Sequence, residues 1–107
     1  MNILIQSGLF SAWLKNLRNP VAKARIVARL IAAECGNFGQ SRVLDEGVSE
    51  MKIDVGPGYR VYYMRKNDVV YLLLAGGDKS TQKKDIARAI LMAREARAEA
   101  KPEKERS

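Results

Sequence analysis

The stretch "MKIDVGPGYRVYY", from Met51 to Tyr63, predicts the centre of the fold. Apolar and polar side chains alternate on both sides of "GPG", as in two half-buried strands joined by a tight turn. A three-residue loop at residues 56–58 would pair Ile53 with Val61 on an apolar face. The stretch therefore predicts an antiparallel hairpin with one face in a core.

On the other face of this hairpin, the same register pairs Asp54 with Arg60 and places Lys52 beside Tyr62. A buried, unpaired guanidinium would cost several kcal/mol. We therefore expect Arg60 to lie off the core, on the opposite face of the sheet. A solvated ion pair between Asp54 and Arg60 is the alternative to a binding site.

Outward from the hairpin, the pattern predicts an α+β fold. Further short strands are expected at Ile3 to Ile5 and in "SRVLD", and "VVYLLLAGG" is typical of a strand covered on both faces. The prediction is two N-terminal helices packed on a mostly antiparallel, twisted sheet of about four to five strands, with a C-terminal helix.

The apolar periodicity predicts which face of each helix is buried. The first helix, capped by Ser7 or Ser11, would turn Phe10, Trp13, Leu14 and Leu17 inward. The second begins at Pro20 and would bury Ala24, Val27, Ile31 and Cys35, with Lys23, Arg25 and Arg29 outside. The third begins at Ser80 or Thr81 and would bury Ile86, Ala89, Ile90 and Ala93.

The 107 residues carry a net charge of +7. Because residues 95–107 contain equal numbers of basic and acidic side chains, all of the excess lies before them. We predict a single domain over residues 1–97 and a charged flexible tail over residues 98–107. A basic folded body favours a polyanionic partner, which can be a nucleic acid, an acidic protein or an anionic membrane surface.

The residue types that the sequence lacks limit the catalytic and metal-binding sites that it can form. No histidine is present, so the usual proton shuttle and the commonest metal ligand are missing. The single cysteine, Cys35, cannot form an internal disulfide and fits a reducing compartment. No apolar run is long enough to span a membrane. We expect a cytoplasmic protein with no metal, no small-molecule cofactor and no membrane partner.

Several cations are predicted to converge near the end of the last strand. The glycines of "GGDKSTQ" allow close backbone approach, and the helix that follows offers free N–H groups to an anion. Lys52, Arg60 and Lys79 would form a phosphate-binding concavity interleaved with Tyr62. The positive charge continues along the helix at Lys83, Lys84 and Arg88. From spacing alone, phosphate or RNA binding and a merely basic surface both remain open.

The motifs "FSAWLKNL", "GNFG", "GVSEMKIDVGPGYRVYY" and "LLLAGGDKSTQKKDI" resemble a HigB-type toxin of the RelE/ParE superfamily, from bacterial type II toxin–antitoxin modules. The resemblance runs from about residue 10 to residue 93. It implies the same compact fold and a ribosome-dependent endoribonuclease that blocks translation by cleaving mRNA. In that mechanism a ribose 2′-hydroxyl attacks the adjacent phosphate.

The resemblance also implies roles for the cations. Arg60 matches the arginine of the family's "GYR" motif, which would hold the scissile phosphate with two hydrogen bonds. Lys52 would stabilise charge or transfer a proton, and Lys79 would be a second phosphate clamp. The chain lacks the C-terminal tyrosine or histidine of several members. Asp85 and Gln82 fall near that position, and either can contact the 2′-hydroxyl, or Tyr62 can serve from the sheet.

Two other functions stay open at this point. ParE-type relatives share the fold and inhibit DNA gyrase by binding it, and a basic RNA-binding or ribosome-binding module would need no chemistry. The resemblance implies the ribosome and mRNA as partners, together with a cognate helix-turn-helix antitoxin. An acidic face on that antitoxin would suit the basic toxin.

Overall fold

A computed structural model describes the chain from residue 1 to residue 100, with side chains described up to residue 99. The elements in chain order are β1 Ile3–Gln6, α1 Gly8–Asn16, α2 Pro20–Glu34, β2 Ser41–Val43, β3 Val48–Ile53, β4 Tyr59–Arg65, β5 Val70–Asp78, a 3-10 turn Lys79–Thr81, and α3 Gln82–Ala100. The predicted α+β class is confirmed. None of these three helices has the length and apolarity needed to cross a membrane.

The end of α3 falls beyond the predicted domain boundary. Residues 98–100, which the sequence assigned to the charged tail, continue the helix. The rest of the predicted tail, residues 101–107, lies outside the described residues.

All five strands belong to one mixed sheet in the order β1-β5-β4-β3-β2. The pairs β5-β4, β4-β3 and β3-β2 are antiparallel, and β1 alone runs parallel to its neighbour, β5. The mostly antiparallel sheet of the sequence prediction is therefore confirmed.

The hairpin register differs from the predicted one by two residues. Ile53 pairs with Tyr59 rather than with Val61, and Lys52 lies directly opposite Arg60. The loop spans residues 54–58, so it is longer than predicted. Both of its glycines, at 56 and 58, have positive φ, which glycine adopts without strain. Because side chains alternate with a period of two, a shift of two residues leaves every side chain on its predicted face.

Helices cover both faces of the sheet. α1 and α2 pack on one face, where the buried cluster contains Phe10, Ala22, Ile26, Leu30, Ala33, Met51, Ile53, Tyr59, Val61, Tyr63 and Leu73. α3 packs on the other face, over Val48, Tyr62, Met64, Leu74 and Ala75, with its own Ala89 and Ala93 turned inward as predicted. Consequently the face that carries Arg60 lies partly under a helix.

The predicted inward face of α2 is wrong. Ala22, Ile26, Leu30 and Ala33 are buried, whereas Ala24, Val27, Ile31 and Cys35 are exposed. Both sets repeat at helical spacing on opposite sides of the helix, so periodicity alone could not choose between them. Arg29, which the sequence placed outside, makes hydrogen bonds that accompany the observed orientation.

Arg29 joins α2 to the loop before β2. Its Nη1 donates to the carbonyl of Lys52 at 2.6 Å, and its Nη2 donates to the carbonyls of Phe38 at 3.0 Å and Gln40 at 3.2 Å. Gly39 has φ +60, and a Cβ there would lie 2.8 Å from the guanidinium. The "GNFG" loop is thus shaped to receive this arginine.

Replacing Arg29 with alanine is expected to lower the free energy of unfolding by about 2–4 kcal/mol, because hydrogen bonds from a charged donor contribute about 1.5–3 kcal/mol each and water replaces part of them. Arg25→Ala, at an exposed position of the same helix, is the matched control. We expect it to change stability by less than about 0.5 kcal/mol. Urea unfolding measures both, and equal losses would contradict the assigned role of Arg29.

β5 contains a β-bulge that explains its continuous apolar sequence. Tyr62 pairs with Ala75 and Tyr63 pairs with Leu73, so Leu74 is an additional residue. Leu74 and Ala75 both belong to the apolar cluster beneath α3.

The two glycines that follow the bulge make room for side chains on opposite faces of β5. A Cβ at Gly76 would lie 2.2 Å from the ring of Trp13, and a Cβ at Gly77 would lie 1.9 Å from Oδ2 of Asp85. The "GG" of β5 therefore serves close packing at these two contacts, which the chain's own side chains make, whereas the sequence predicted close approach at a phosphate site.

α3 is tied to the sheet near both of its ends. At its start, Nε2 of Gln82 donates to Oε2 of Glu50 at 2.9 Å. Towards its end, Nε of Arg94 donates to Oε1 of Glu46 at 2.7 Å, and Nη1 of Arg97 donates to the Glu46 carbonyl at 2.6 Å. These contacts fix the helix across the sheet and so set the position of its first turn.

Candidate functional site

A concavity of about 310 Å³ lies between the start of α3 and the strands β2, β3 and β4. Its lining residues are Gln40, Ser41, Arg42, Glu50, Lys52, Arg60 and Gln82. Three of these side chains are cationic and one is acidic. We call this concavity the basic pocket.

Arg60 lies at the buried side of the basic pocket. Its exposed fraction is 6%, so the expectation that it is displayed off the core is wrong. The reason is long-range, since α3 crosses the face of the sheet that Arg60 shares with Tyr62. Nη1 donates to the Gly58 carbonyl at 2.8 Å, and Nε is buried without a partner among the described residues. An unsatisfied, buried charged donor is costly, and the same burial keeps Nε out of direct reach of a ligand.

Lys52 and Arg60 face each other directly across β3 and β4. The sequence predicted Asp54 in that position, and the longer loop removes Asp54 from the sheet. Like charges directly opposite one another destabilise a sheet. An anion bound between the two cations would relieve this repulsion.

Glu50 is the acidic member of the basic pocket, with only 4% of its surface exposed. Nε of Arg42 donates to Oε1 at 2.9 Å, and Gln82 donates to Oε2. Burial pushes the pKa of Glu50 upward, but the hydrogen bonds from Arg42 and Gln82 and the charge of Arg42 outweigh it, so the pKa lies below its usual range. Glu50 is therefore ionised at neutral pH.

Tyr62 lies beneath the basic pocket rather than in its lining. The side chain is fully buried, and its hydroxyl has no hydrogen-bond partner among the described residues. Burial, followed by the negative charge of Glu50, raises the pKa of Tyr62. Tyr62 therefore remains a neutral phenol that RNA cannot reach, which removes it from the predicted proton-transfer set.

The predicted anion site at the start of the last helix is already filled by the chain. Oδ1 of Asp78 accepts from the Ser80 backbone N–H at 2.8 Å and from the Ser80 hydroxyl at 2.5 Å. These hydrogen bonds, the side-chain one first, hold the pKa of Asp78 below its usual range. The carboxylate of Asp78 takes the place that the sequence assigned to a phosphate.

The other predicted site residues separate into three groups. Gln82 lines the basic pocket with Lys52 and Arg60. Lys79, Lys83 and Lys84 are exposed and are not among its lining residues. Asp85 accepts from the Thr81 hydroxyl at 2.6 Å and lines a separate concavity of about 320 Å³ with Trp13 and Arg88. The structure thus brings together only part of the predicted set.

Within the described part of the chain, no three histidine, cysteine, aspartate or glutamate side chains are grouped so that they could hold a metal ion. The basic pocket offers one carboxylate among three cations, a donor set suited to an anion.

No protein-family model matches the chain. A Haemophilus influenzae protein described as "Uncharacterized protein" is 49% identical to it over 96 residues, which cover 89% of this chain and 97% of that protein. The chain belongs to the family of that Haemophilus protein. Because the match covers nearly the full length of both chains, the Haemophilus family is expected to share the fold described above.

Sequence reasoning missed four residues of the basic pocket in this member of the Haemophilus family: Gln40, Ser41, Arg42 and Glu50. One signal was available for Glu50, which alternates with Lys52 along β3 and therefore shares its face. No local pattern could predict the contact between Glu50 and Gln82, which are 32 positions apart.

The lowered pKa of Glu50 predicts a pH-dependent contribution to stability. A carboxyl group with a lower pKa in the folded state stabilises the fold above its unfolded pKa, and the contribution is lost as the pH falls through the folded pKa. Glu50→Gln should therefore be less stable than the parent chain at neutral pH, by about 1–2 kcal/mol. The difference should shrink once the pH falls below about 4.3.

Urea unfolding at several pH values measures this difference. Glu95→Gln, at an exposed position of α3, is the control and should follow the parent chain throughout. A gap between Glu50→Gln and the parent that stays constant down to acidic pH would show that the charge of Glu50 is not involved.

Proposed function

We propose that this protein is the toxin of a type II toxin–antitoxin module, a ribosome-dependent endoribonuclease that cleaves mRNA by 2′-hydroxyl attack on the adjacent phosphate. The observation that carries the proposal is the basic pocket, where Arg42, Lys52 and Arg60 surround one ionised carboxylate. The motifs shared with HigB-type toxins supply the choice of RNA as the anion.

Phosphate binding is the first step that the basic pocket supports. The scissile phosphate would sit between Lys52 and Arg60, whose charges face each other and lack an acidic partner in the register. The guanidinium of Arg60 lines the basic pocket and would offer its Nη donors to a phosphate oxygen. Donors fixed before the reaction stabilise the charge that develops on the phosphorane oxygens.

Residues of the basic pocket can also carry the two proton transfers of the cleavage reaction. The 2′-oxygen attacks phosphorus and gives up its proton, the bond from phosphorus to the 5′-oxygen breaks, and the products carry a 2′,3′-cyclic phosphate and a 5′-hydroxyl. We assign the proton of the 2′-hydroxyl to Glu50 and the proton of the 5′-hydroxyl product to Lys52. A carboxylate with a lowered pKa is a weak base, so a slow reaction is expected.

Tyr62 and Asp85 have no role in this assignment. Tyr62 is fully buried, and Asp85 is bonded to Thr81 outside the basic pocket. Lys79, Lys83, Lys84 and Arg88 are exposed around the start of α3 and would hold flanking phosphates of the mRNA or ribosomal RNA. Contacts of this kind make binding weaken steeply with salt.

Primer extension on cellular mRNA after induction tests the proposal. We expect new ends inside translated codons, and no such ends with an Arg60→Lys chain produced at the same level. Intact mRNA with DNA damage would instead support a ParE-like gyrase inhibitor. Intact mRNA with the protein retained on ribosomes would support a binding module without chemistry, and either result would reject the nuclease.

The resemblance also suggests a helix-turn-helix antitoxin as the partner that restrains this activity. A basic chain of net charge +7 supports an acidic partner. Co-purification with the product of the neighbouring gene tests this proposal, and a neighbouring product that does not bind would reject it.

A further inference from the structure

The outward side of α2 is an apolar stripe that no other described residue covers. We call it the outer stripe and define it as Val21, Ala24, Ala28, Ile31 and Cys35. All five positions are exposed, with 59% of Val21 and 56% of Ile31 accessible. The opposite side of the same helix packs in the core, so α2 is apolar on two sides. A surface helix of a globular protein normally has one apolar side.

The spacing of the outer stripe is that of a helix–helix seam. Its residues recur at alternating intervals of three and four, which is the a and d pattern of a coiled coil. The second and third of its five positions are alanines, which let a second backbone approach closely. The N-terminal half forms a groove of about 390 Å³ lined by Pro20, Val21, Ala24, Arg25 and Ala28. α2 has 15 residues, so the seam is about 22 Å long, which corresponds to about two heptads.

The cations near the outer stripe lie towards its N-terminal end. Arg25 forms part of the groove itself. Lys23 lies in the same turn of the helix but outside the seam and its flanks, and its Nζ donates to the Lys15 carbonyl at 3.2 Å. Arg18 is exposed just before the helix begins. The single acidic residue of α2 is Glu34, at its far end.

The charges near the outer stripe indicate which kind of molecule can bind it. A second copy of the chain would bring the same cations against these, and like charges across an interface cost several kcal/mol, about 1–5. Residues 101–107, "KPEKERS", contain no large apolar side chain that could fill the seam. A partner helix with an apolar seam and acidic flanking residues would pack against the outer stripe and pair with the cations near it.

We propose that the outer stripe binds an amphipathic helix of a partner protein whose apolar seam is flanked by aspartate or glutamate. α2 packs on the face of the sheet opposite to Glu50 and Arg60. The partner helix would therefore bind behind the sheet and leave the basic pocket open. This inference stands whether or not the chain cleaves RNA.

Two labelled helical peptides of three heptads test the proposal by fluorescence anisotropy with the full chain. Both have isoleucine and alanine in the seam, with glutamate at the flanking positions of one and lysine at those of the other. We expect the glutamate peptide to bind at least about 10-fold more tightly than the lysine peptide. Ala28→Glu should weaken its binding by about 10-fold or more, because it places a charge in the centre of the seam.

Arg25→Glu and Lys66→Glu are matched charge reversals. Arg25 lines the groove, whereas Lys66 is exposed in the turn after β4. Arg25→Glu should remove most of the preference for the glutamate peptide, and Lys66→Glu should retain it. Circular dichroism melting curves establish that each variant is folded.

Three results would overturn the proposal. The first is equal binding of the two peptides, and the second is unchanged binding by a folded Ala28→Glu chain. The third comes from sedimentation equilibrium of the chain without peptide, where we expect a monomer. A dimer that Ala28→Glu dissociates would assign the outer stripe to a second copy.

Discussion

Replacing Arg60 with lysine is expected to lower the rate of RNA cleavage by about 100-fold while the chain remains folded. Lysine keeps one positive charge but loses the planar pair of donors and the Nε–H that lies buried without a partner. Lysine is chosen over alanine because Arg60 is only 6% exposed, and truncating it would leave a cavity as well as remove the charge. Single-turnover cleavage on programmed ribosomes measures the effect.

Arg65→Lys is the matched control, since Arg65 lies on the same strand, β4, with its side chain 57% exposed beside Asp68. We expect this variant to cleave RNA at the parent rate. A folded Arg60→Lys chain with full activity would remove Arg60 from the reaction. An equal loss of cleavage rate in Arg65→Lys would mean that the effect is not specific to the arginine in the basic pocket.

Gly76→Ala is expected to destabilise the protein by about 3 kcal/mol, the upper range for overpacking. The added methyl group would lie 2.2 Å from the ring of Trp13. That ring is held in place by Phe10 and Tyr59, with centroid distances of 5.7 Å and 6.3 Å. Trp13→Ala should cost a similar amount, about 3 kcal/mol, through the cavity that it leaves.

The double variant tests whether the two residues are coupled. Once Trp13 is absent, the methyl group at position 76 meets no ring, so the double variant should be no less stable than Trp13→Ala alone. Gly8→Ala is the matched glycine control because no atom lies within 4 Å of the added Cβ in the first turn of α1. It should be neutral or stabilising by about 0.5–1 kcal/mol. Additive losses in the urea unfolding of the double variant would contradict the contact.

The sheet could be predicted from the sequence because its signals are local. The alternation around "GPG" fixes which side chains share a face, and an error of two residues in the register leaves those faces unchanged. The continuous apolar run of β5 indicated burial on both sides. The bulge at Leu74 could not be predicted, since it depends on how β4 and β5 pair.

The inward face of α2 could not be predicted because its sequence offers two apolar sides. Ile26 and Ile31 are equivalent in hydrophobicity, yet one is buried and the other is 56% exposed. In the observed orientation Arg29 donates hydrogen bonds to carbonyls of the next loop and of β3. A basic residue at helical spacing gives no sign of such a role.

The candidate site was predicted only in part, because some of its residues are placed by local alternation and others by long-range contacts. Lys52 and Arg60 lie on neighbouring strands, so their common face follows from alternation. Gln82 joins them through its contact with Glu50, but Asp85 turns towards Gly77 and the 3-10 turn leaves Lys79 exposed. The direction of a side chain in the first turn of α3 depends on the 3-10 turn before it, which Asp78 caps and which spacing does not show.

The chemistry of the cleaved ends is the most direct test of the proposed nuclease. Purified protein, ribosomes and a defined mRNA would be incubated together, and the upstream and downstream fragments analysed by mass spectrometry. The account predicts cuts inside codons, with a 2′,3′-cyclic phosphate on the upstream fragment and a 5′-hydroxyl on the downstream one. Uncut mRNA, or fragments with a 5′-phosphate, would contradict it.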